Sequence, residues 1–417
     1  MKDYHVLKLV NTSVRDDPRL ISEARSLIRL GYSVKVIGLA RQAGLPVYDQ
    51  MDGFDVILVP MVTQSHPVKL LQALWRFLRA DLGDVSEVPD SRTSNLISFL
   101  FFNLWLIRIG IGISAQVVHC HDVLPLPAAW VLACWKHSHF IYDARESVPD
   151  LYIGIKGRLI TFIEQRILRK ADVVITVGER LARALSKRGA RRVMIIGNWK
   201  RLDDFQIEAD RIEAIRQHLQ LSEYKLVISY FGSLDPTRDI MPLIRAVAHS
   251  PEVALLIAGR GTLEVEVAQA SSGVPNIRWL KWISLADLPL YTHLSDALYY
   301  CLNFNQSEQQ ELSIGNNFYS TPNKLFEAFA AGKAIIARRG IGEIGEILDQ
   351  IPAGILLDEV TPQTLYAAFQ QLQNPDILQA LQSAALDGRM MYSWDVAEER
   401  LKQIYGEWLS IDQRDVS

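Results

Sequence analysis

The densest chemistry in this chain lies in residues 319–337, YSTPNKLFEAFAAGKAIIA. Thr321 has the side chain of an N-cap and Pro322 suits the first helical position. Gly332 suits a left-handed C-cap, and Ala334–Ala337 reads as a buried strand. The unpaired N–H groups near Asn323, Lys324 and Leu325 would form an anion site suited to a diphosphate. Glu327 lies one turn further in. A carboxylate there accepts hydrogen bonds only, which suits the two hydroxyls of a ribose. The alternative is a surface glutamate on an ordinary helix. Leu325, Phe326, Phe329 and Ala330 place much of the helix inside, where an unpaired carboxylate is costly, and this favours a binding role.

Other polar clusters sit just after apolar, β-branched runs. The stretch 230–240, YFGSLDPTRDI, reads as a strand end, a turn at Gly232 and a helix start near Ile240. Arg238 in that turn could grip a phosphate with two parallel N–H bonds, or stand as an exposed loop arginine. Gly259 and Gly261 flank Arg260 in a G-x-G turn that would let the backbone approach a nucleotide closely. Trp282 and Ile283 follow another strand, and Trp282 could flank a base or lie in the core. In the first half, VVHCHD (117–122) puts His119 and His121 on one face of a strand. His119 reads as a core residue and His121, at the strand end, as a site residue. YDARE (142–146) supplies Asp143, Arg145 and Glu146. These could orient an acceptor hydroxyl, neutralise one another or form an interdomain ion-pair network. Asp17 and Arg19 lie in the first strand-to-helix loop.

The elements positioning these residues alternate. Strands are expected at His5–Val10, Ser33–Gly38, Phe54–Val59, Gln116–His119, His139–Asp143, Asp172–Val177 and Val193–Ile196. Helical stretches such as Pro18–Leu30, Ile155–Arg169 and Glu179–Lys187 lie between them. This rhythm predicts a parallel sheet wrapped by helices. The polar segment 198–224 breaks it. A second series follows at Lys225–Phe231, Ala254–Ala258, Asn276–Leu280, Ala297–Cys301, Ala334–Ala337 and Gly354–Leu357. The expectation is two α/β domains, residues 1–200 and 201–392, with ligands taken in the cleft between them.

Composition narrows the function. The 417 residues carry 44 Lys+Arg against 47 Asp+Glu, so no nucleic-acid signature appears. Cys120, Cys134 and Cys301 lack metal-ligand spacing, and so sparse a set suits a reducing cytoplasm. The N-terminus does not read as a signal peptide. The apolar run from Leu96 to Ile113 is interrupted by Ser98, Asn103 and Arg108, which predicts a buried or interface-lying helix instead of a membrane span. Residues 67–79, PVKLLQALWRFLR, form a basic amphipathic pattern that could lie in a bilayer interface or pack on the first sheet. Together, residues 67–113 suggest peripheral membrane contact, and mean hydropathy is +0.08.

The pattern P-x-K-x-x-E-x-x-A-x-G before a buried strand resembles the donor site of GT-B-fold glycosyltransferases, in particular retaining family 4. The resemblance covers essentially the whole chain, most strongly residues 226–358. It implies two Rossmann-like domains facing each other across a cleft, acceptor side first and nucleotide-sugar side second, with a last helix (393–417) crossing back to the first. It implies that Glu327 binds the ribose. The glutamate usually found eight positions earlier, at the transferred sugar, is Tyr319 here. Ser320, Thr321, Pro322, Asn323, Lys324 and Leu325 complete that loop. In the family pattern G-R-L-x-x-x-K-G, Ser233 replaces the arginine and Arg238 stands for the phosphate-neutralising lysine. Gly232, Gly259, Arg260, Trp282 and Ile283 join the donor set. His121 matches a histidine that faces the sugar, and Arg145 replaces a usual histidine. Asp17 and Arg19 lie in a loop that contacts the acceptor in many relatives. Asn198 matches a structural turn at the hinge.

The implied reaction moves a sugar from a UDP-, GDP- or ADP-sugar to a glycan or lipid-linked acceptor, with retention, in exopolysaccharide, lipopolysaccharide or glycolipid synthesis. His121, Arg238 and Glu327 would carry it. No Asp-x-Asp occurs and no metal or other cofactor is expected. The expected location is the cytoplasm, with contact at the inner face of the membrane. The competing readings are a nucleotide-sugar 2-epimerase, an inverting GT-B enzyme, or a non-catalytic nucleotide-binding subunit.

Overall fold

The structure, a computed structural model, describes residues 3–40, 47–59, 96–147, 154–303, 318–340 and 342–409. The expected 67–79 helix lies outside them. Short β-branched runs form strands because branched side chains pack well on a pleated, two-sided core. The chain divides into two units, Met1–Ile196 with Glu398–Ser417, and Gly197–Ala397.

In the first unit the strands are β1 (Asp3–Leu9), β2 (Val34–Leu39), β3 (Val47–Met51), β4 (Phe54–Val59), β5 (Ser114–His121), β6 (His139–Ala144), β7 (Val173–Thr176) and β8 (Val193–Ile195). They form one sheet in the order β3-β4-β2-β1-β5-β6-β7-β8. All pairs are parallel except β3–β4. The sequence reading missed β3. Helices α1 (Pro18–Arg29), α2 (Leu96–Ile111), α3 (Leu126–Lys136), α4 (Gly154–Leu168) and α5 (Glu179–Arg188) cover the sheet. Helix α2 follows the expected apolar run, and no helix among the described residues is long and apolar enough to cross a membrane.

The second unit has a six-stranded parallel sheet. Its strands are β9 (Leu226–Phe231), β10 (Val253–Ala258), β11 (Ile277–Trp279), β12 (Ala297–Tyr300), β13 (Ala334–Arg338) and β14 (Gly354–Leu357), in the order β11-β10-β9-β12-β13-β14. Strands β9 and β10 are buried along their whole length, as a sheet covered on both faces requires. Its helices are α6 (Ala209–His218), α7 (Ile240–Ala248), α8 (Glu264–Ser271), α9 (Leu288–Leu294), α10 (Asn323–Ala331), α11 (Ile344–Gln350), α12 (Pro362–Leu372) and α13 (Pro375–Met391). The last helix, α14 (Trp394–Gly406), enters the first unit at Glu398. There Tyr405 is fully buried with its hydroxyl 2.6 Å from His119 Nδ1.

Candidate active site

In the second unit the strand-end loops of β9 and β10 interlock. A Cβ on Gly259 would fall 1.7 Å from the Gly232 carbonyl oxygen, and one on Gly261 would fall 2.4 Å from that of Leu234. Leu234 N–H donates to the Arg260 carbonyl at 2.9 Å, and Gly259 N–H to that of Lys281 at 2.8 Å. The two glycines are therefore required by a neighbouring loop, a role the sequence reading did not give them. What they do is fix the position of the Gly232–Leu234 turn.

That turn faces helix α10. Lys324 Nζ lies 3.5 Å from where a Gly232 Cβ would stand. Extended backbone at Pro322 (ψ 131°) starts the helix one residue later than expected, so Pro322, not Thr321, is the N-cap. Leu325 N–H already donates to the Pro322 carbonyl at 3.1 Å, which removes one of the anticipated free donors. Ser320 sits against Gly342, where any Cβ would meet the Ser320 carbonyl oxygen at 1.9 Å. Tyr319 stacks edge-on with Phe318, ring centroids 5.1 Å apart.

Glu327 is buried, but it is not unpaired as the sequence argument supposed. Its carboxylate meets Lys200 at 3.3 Å and Lys324 at 3.5 Å. Burial opposes its charge, yet the two lysines outweigh this and hold the carboxyl below its ordinary range. Lys200 escaped the sequence reading. It sits just past the β8 exit, 127 positions from its partner, with no local pattern to mark it.

Arg238 ends the turn Pro236–Arg238 before α7. It is half-buried, and its Nε is shut from solvent without a hydrogen-bond partner. Its charge bears on the Tyr230 and Tyr300 hydroxyls, which burial pushes upward. Tyr230 Oη donates to the Ser233 carbonyl, and Ser233 Oγ to Asp235. Trp282 is 56% exposed, which overturns the core reading, and the Arg260 guanidinium lies 4.8 Å from its ring centroid. Ile283 packs on the apolar layer under β9 and β10.

The first unit carries a second cluster at the ends of β1, β5 and β6. Lys8 is fully buried, with Nζ 2.6 Å from Glu23, 3.1 Å from His119 Nδ1 and 3.3 Å from His121 Nε2. The two histidine rings stack at 4.3 Å, as their shared strand face predicts. Burial, then the Lys8 charge, pushes both well below the ordinary histidine range, which favours the neutral rings. His121 Nδ1 also meets Arg145 at 2.7 Å and Asp143 at 3.1 Å. Arg19 pairs with Asp143 (3.0 Å) and Glu23 (3.2 Å), and Arg145 pairs with Asp17 (2.6 Å) and Asp143 (3.4 Å).

Asp17, Arg19, Asp143 and Arg145 thus form one network with His121 inside the first unit, which replaces the interdomain alternative. Glu146 is exposed and stands outside it. Glu23, His119, His121 and Asp143 each place a ligand atom within 4.8 Å of the others, a spacing that would suit a cation. The Lys8 ammonium already lies within hydrogen-bond reach of three of them. Lys8 and Glu23 went unnoticed in the sequence. So did Asp122, which takes a left-handed conformation (φ 64°) and whose carboxyl is pushed up to about 7, chiefly by burial.

Comparison with known proteins supplies the context. The family description "Glycosyl transferase 4-like domain" matches residues 19–199, and "Glycosyl transferases group 1" matches residues 225–374. No curated protein matches the chain in sequence. Solved structures do match in fold. Sucrose-phosphate synthase from Thermosynechococcus elongatus superposes with a TM-score of 0.68 at 16% identity, covering 97% of this chain and 98% of that one. A glycosyltransferase from Rickettsia africae gives 0.67 at 15%, covering 98% and 100%. Anabaena HepE in complex with UDP gives 0.69 at 13%, covering 97% and 100%. The chain therefore belongs to the GT-B-fold glycosyltransferases of the group 1, family 4 type.

Proposed function

We propose that the enzyme transfers a sugar, with retention of configuration and without a metal ion, from a nucleotide-sugar donor held by the second unit. The acceptor would be a glycan or lipid-linked saccharide at the cytoplasmic face of a membrane, in exopolysaccharide, lipopolysaccharide or glycolipid synthesis. Arg238 carries the donor assignment, because its sequestered Nε is a charged donor without an acceptor. A diphosphate oxygen would supply one. Lys324 adds a second positive charge beside Gly232, and Glu327, held ionised by two lysines, is poised to accept from ribose hydroxyls. The barrier is loss of a nucleoside diphosphate through an oxocarbenium-like transition state. Charge developing on the leaving phosphate is what Arg238 and the start of α10 would stabilise. In a retaining transfer the departing phosphate oxygen takes the acceptor's proton, so no protein base is needed on that side.

Calorimetric titration with UDP-, GDP- and ADP-linked sugars tests the reading. One donor class should bind, and Arg238→Ala and Glu327→Ala should each weaken it at least about tenfold, the value of a charge-assisted hydrogen bond. Absence of binding by every nucleotide and nucleotide sugar would overturn the donor assignment. An inverted product, read by NMR of the anomeric proton, would overturn retention. Conversion of the nucleotide sugar with no acceptor present would favour an epimerase.

A further inference from the structure

The three helices α2, α3 and α4 lie side by side on one face of the first sheet. They connect β4 to β5, β5 to β6 and β6 to β7, all moving the same way across the sheet, and right-handed crossovers put such helices on the same side. The α2–α3 packing is close: a Cβ on Gly110 would fall 2.4 Å from a Leu132 methyl carbon. Each helix buries one side against the sheet and turns the other to solvent. In a soluble domain that outward side should be polar. Here it is not.

On α2 the outward stripe is Leu100, Leu104, Arg108 and Ile111, at helical spacing. Leu100 is 52% exposed. On α3 it includes Trp130, Val131 and Trp135, the last 69% exposed. On α4 it includes Arg158, Leu159, Phe162 and Arg166, with the Arg166 guanidinium 4.7 Å from the Phe162 ring centroid. Exposed apolar side chains scattered singly need no explanation, but a contiguous set on three adjacent helices does.

Among the described residues, the charges on this face have one sign. Helices α2 and α3 contain no acidic residue, and the one acid of α4, Glu164, is fully buried beneath it. Exposed tryptophans beside arginines, with no acid among them, match the composition of a surface that sits in the headgroup region of an anionic bilayer. A second copy of this chain fits less well, because a two-fold interface would set the same arginines against each other.

We infer that the outward face of α2, α3 and α4 docks on an anionic phospholipid surface, with Trp130, Trp135 and Phe162 inserted among the headgroups and Arg158 and Arg166 paired with lipid phosphates. This gives the lipid-linked acceptor reading a defined surface. Vesicle binding needs no sugar nucleotide, so the two ideas fail separately.

The test is co-flotation of the full chain with vesicles of phosphatidylglycerol and phosphatidylcholine in equal parts, and with pure phosphatidylcholine. The protein should float with the mixed vesicles, less with pure phosphatidylcholine, and less as salt rises. Trp135→Ser with Phe162→Ser should lower partitioning at least about tenfold, the value of withdrawing a large side chain from an apolar phase. Arg158→Glu with Arg166→Glu should lower it by at least about fivefold per residue on the mixed vesicles alone. Circular dichroism and the melting temperature, unchanged in all variants, confirm that they fold. Failure of the parent to float, or flotation unchanged in both double variants, overturns the proposal. So does a dimer in light scattering that dissociates on Trp135→Ser, which would assign the face to a second copy.

Discussion

Substituting Lys8 by Met tests the central feature of the first unit. Methionine is unbranched and of similar length, so it fills most of the space and removes mainly the charge. Lys8 and Glu23 are both fully buried and 2.6 Å apart. Burial depresses the lysine against the pull of Glu23, so the pair survives because each charge offsets the other's desolvation. Without the ammonium, Glu23 keeps Arg19, at 3.2 Å, which also serves Asp143, and His121, at 3.6 Å. Breaking a buried pair in this way costs about 3–5 kcal/mol. For a unit of this size, that corresponds to about 6–20 °C in melting temperature. Adding Glu23→Leu removes the stranded charge and should restore at least half of the loss, whereas two independent sites would add. Urea unfolding followed by far-UV circular dichroism gives both numbers, read from the transition that shifts. A Lys8→Met loss below about 1 kcal/mol, or a double variant as unstable as the sum of the singles, would refute the offset argument.

Three further outcomes follow from the geometry. Burial pushes the Glu164 carboxyl up from 4.5 to about 7, against Arg188 and the Tyr142 hydroxyl. Because its folded value is raised, its stabilisation is complete below the unfolded value and is lost as pH rises through about 7. Glu164→Gln should therefore gain roughly 3 kcal/mol on the parent between acid and mildly alkaline pH, and a difference flat with pH would refute this. Gly259→Ala drives a methyl into the Gly232 carbonyl and should cost about 3 kcal/mol. By contrast, Gly273→Ala meets open space at φ 75° and should cost about 1 kcal/mol; equal losses in urea unfolding would contradict the interlocked-loop account. Trp282→Ala, removing an exposed ring and its contact with Arg260, should cost under about 1 kcal/mol, where a core tryptophan would cost about 3–5; thermal unfolding separates the two.

Most of the fold was legible because parallel strands advertise themselves as short branched runs, and Phe54–Val59 and Gly354–Leu357 appear with the expected ends. Strand β3 did not advertise itself. Its VYDQM lies on the sheet edge, with Tyr48 68% exposed, so it lacks an apolar run. Its signal was the turn: Asp52 and Gly53 both take positive φ, 49° and 87°, the tight-hairpin pattern for two residues between strands. The donor-side residues were legible as motif residues, but their partners were not. Glu327 was found and Lys200 was not. Glycines were rightly marked at 259 and 261, yet the atoms that require them belong to the β9 loop. Lys8 was hidden most completely. It sits in the apolar strand HVLKLV, and the groups that meet it lie 15, 111 and 113 positions away.

The two clusters differ in a way that bears on chemistry. In the first-unit cluster each cation is matched: Lys8 by Glu23, Arg19 by Glu23 and Asp143, Arg145 by Asp17 and Asp143. His121 is 1% exposed and engaged at both ring nitrogens. A neutral ring accepts at one nitrogen only, so a sugar hydroxyl bonding to His121 must displace one of its neighbours, which must then find a new partner. In the second unit, Arg238 keeps a sequestered Nε without a partner, and the Arg260–Trp282 pair stands in solvent. An anionic ligand there completes hydrogen bonding without breaking any. Ligand binding should therefore be cheap on the donor side and conditional on rearrangement at His121.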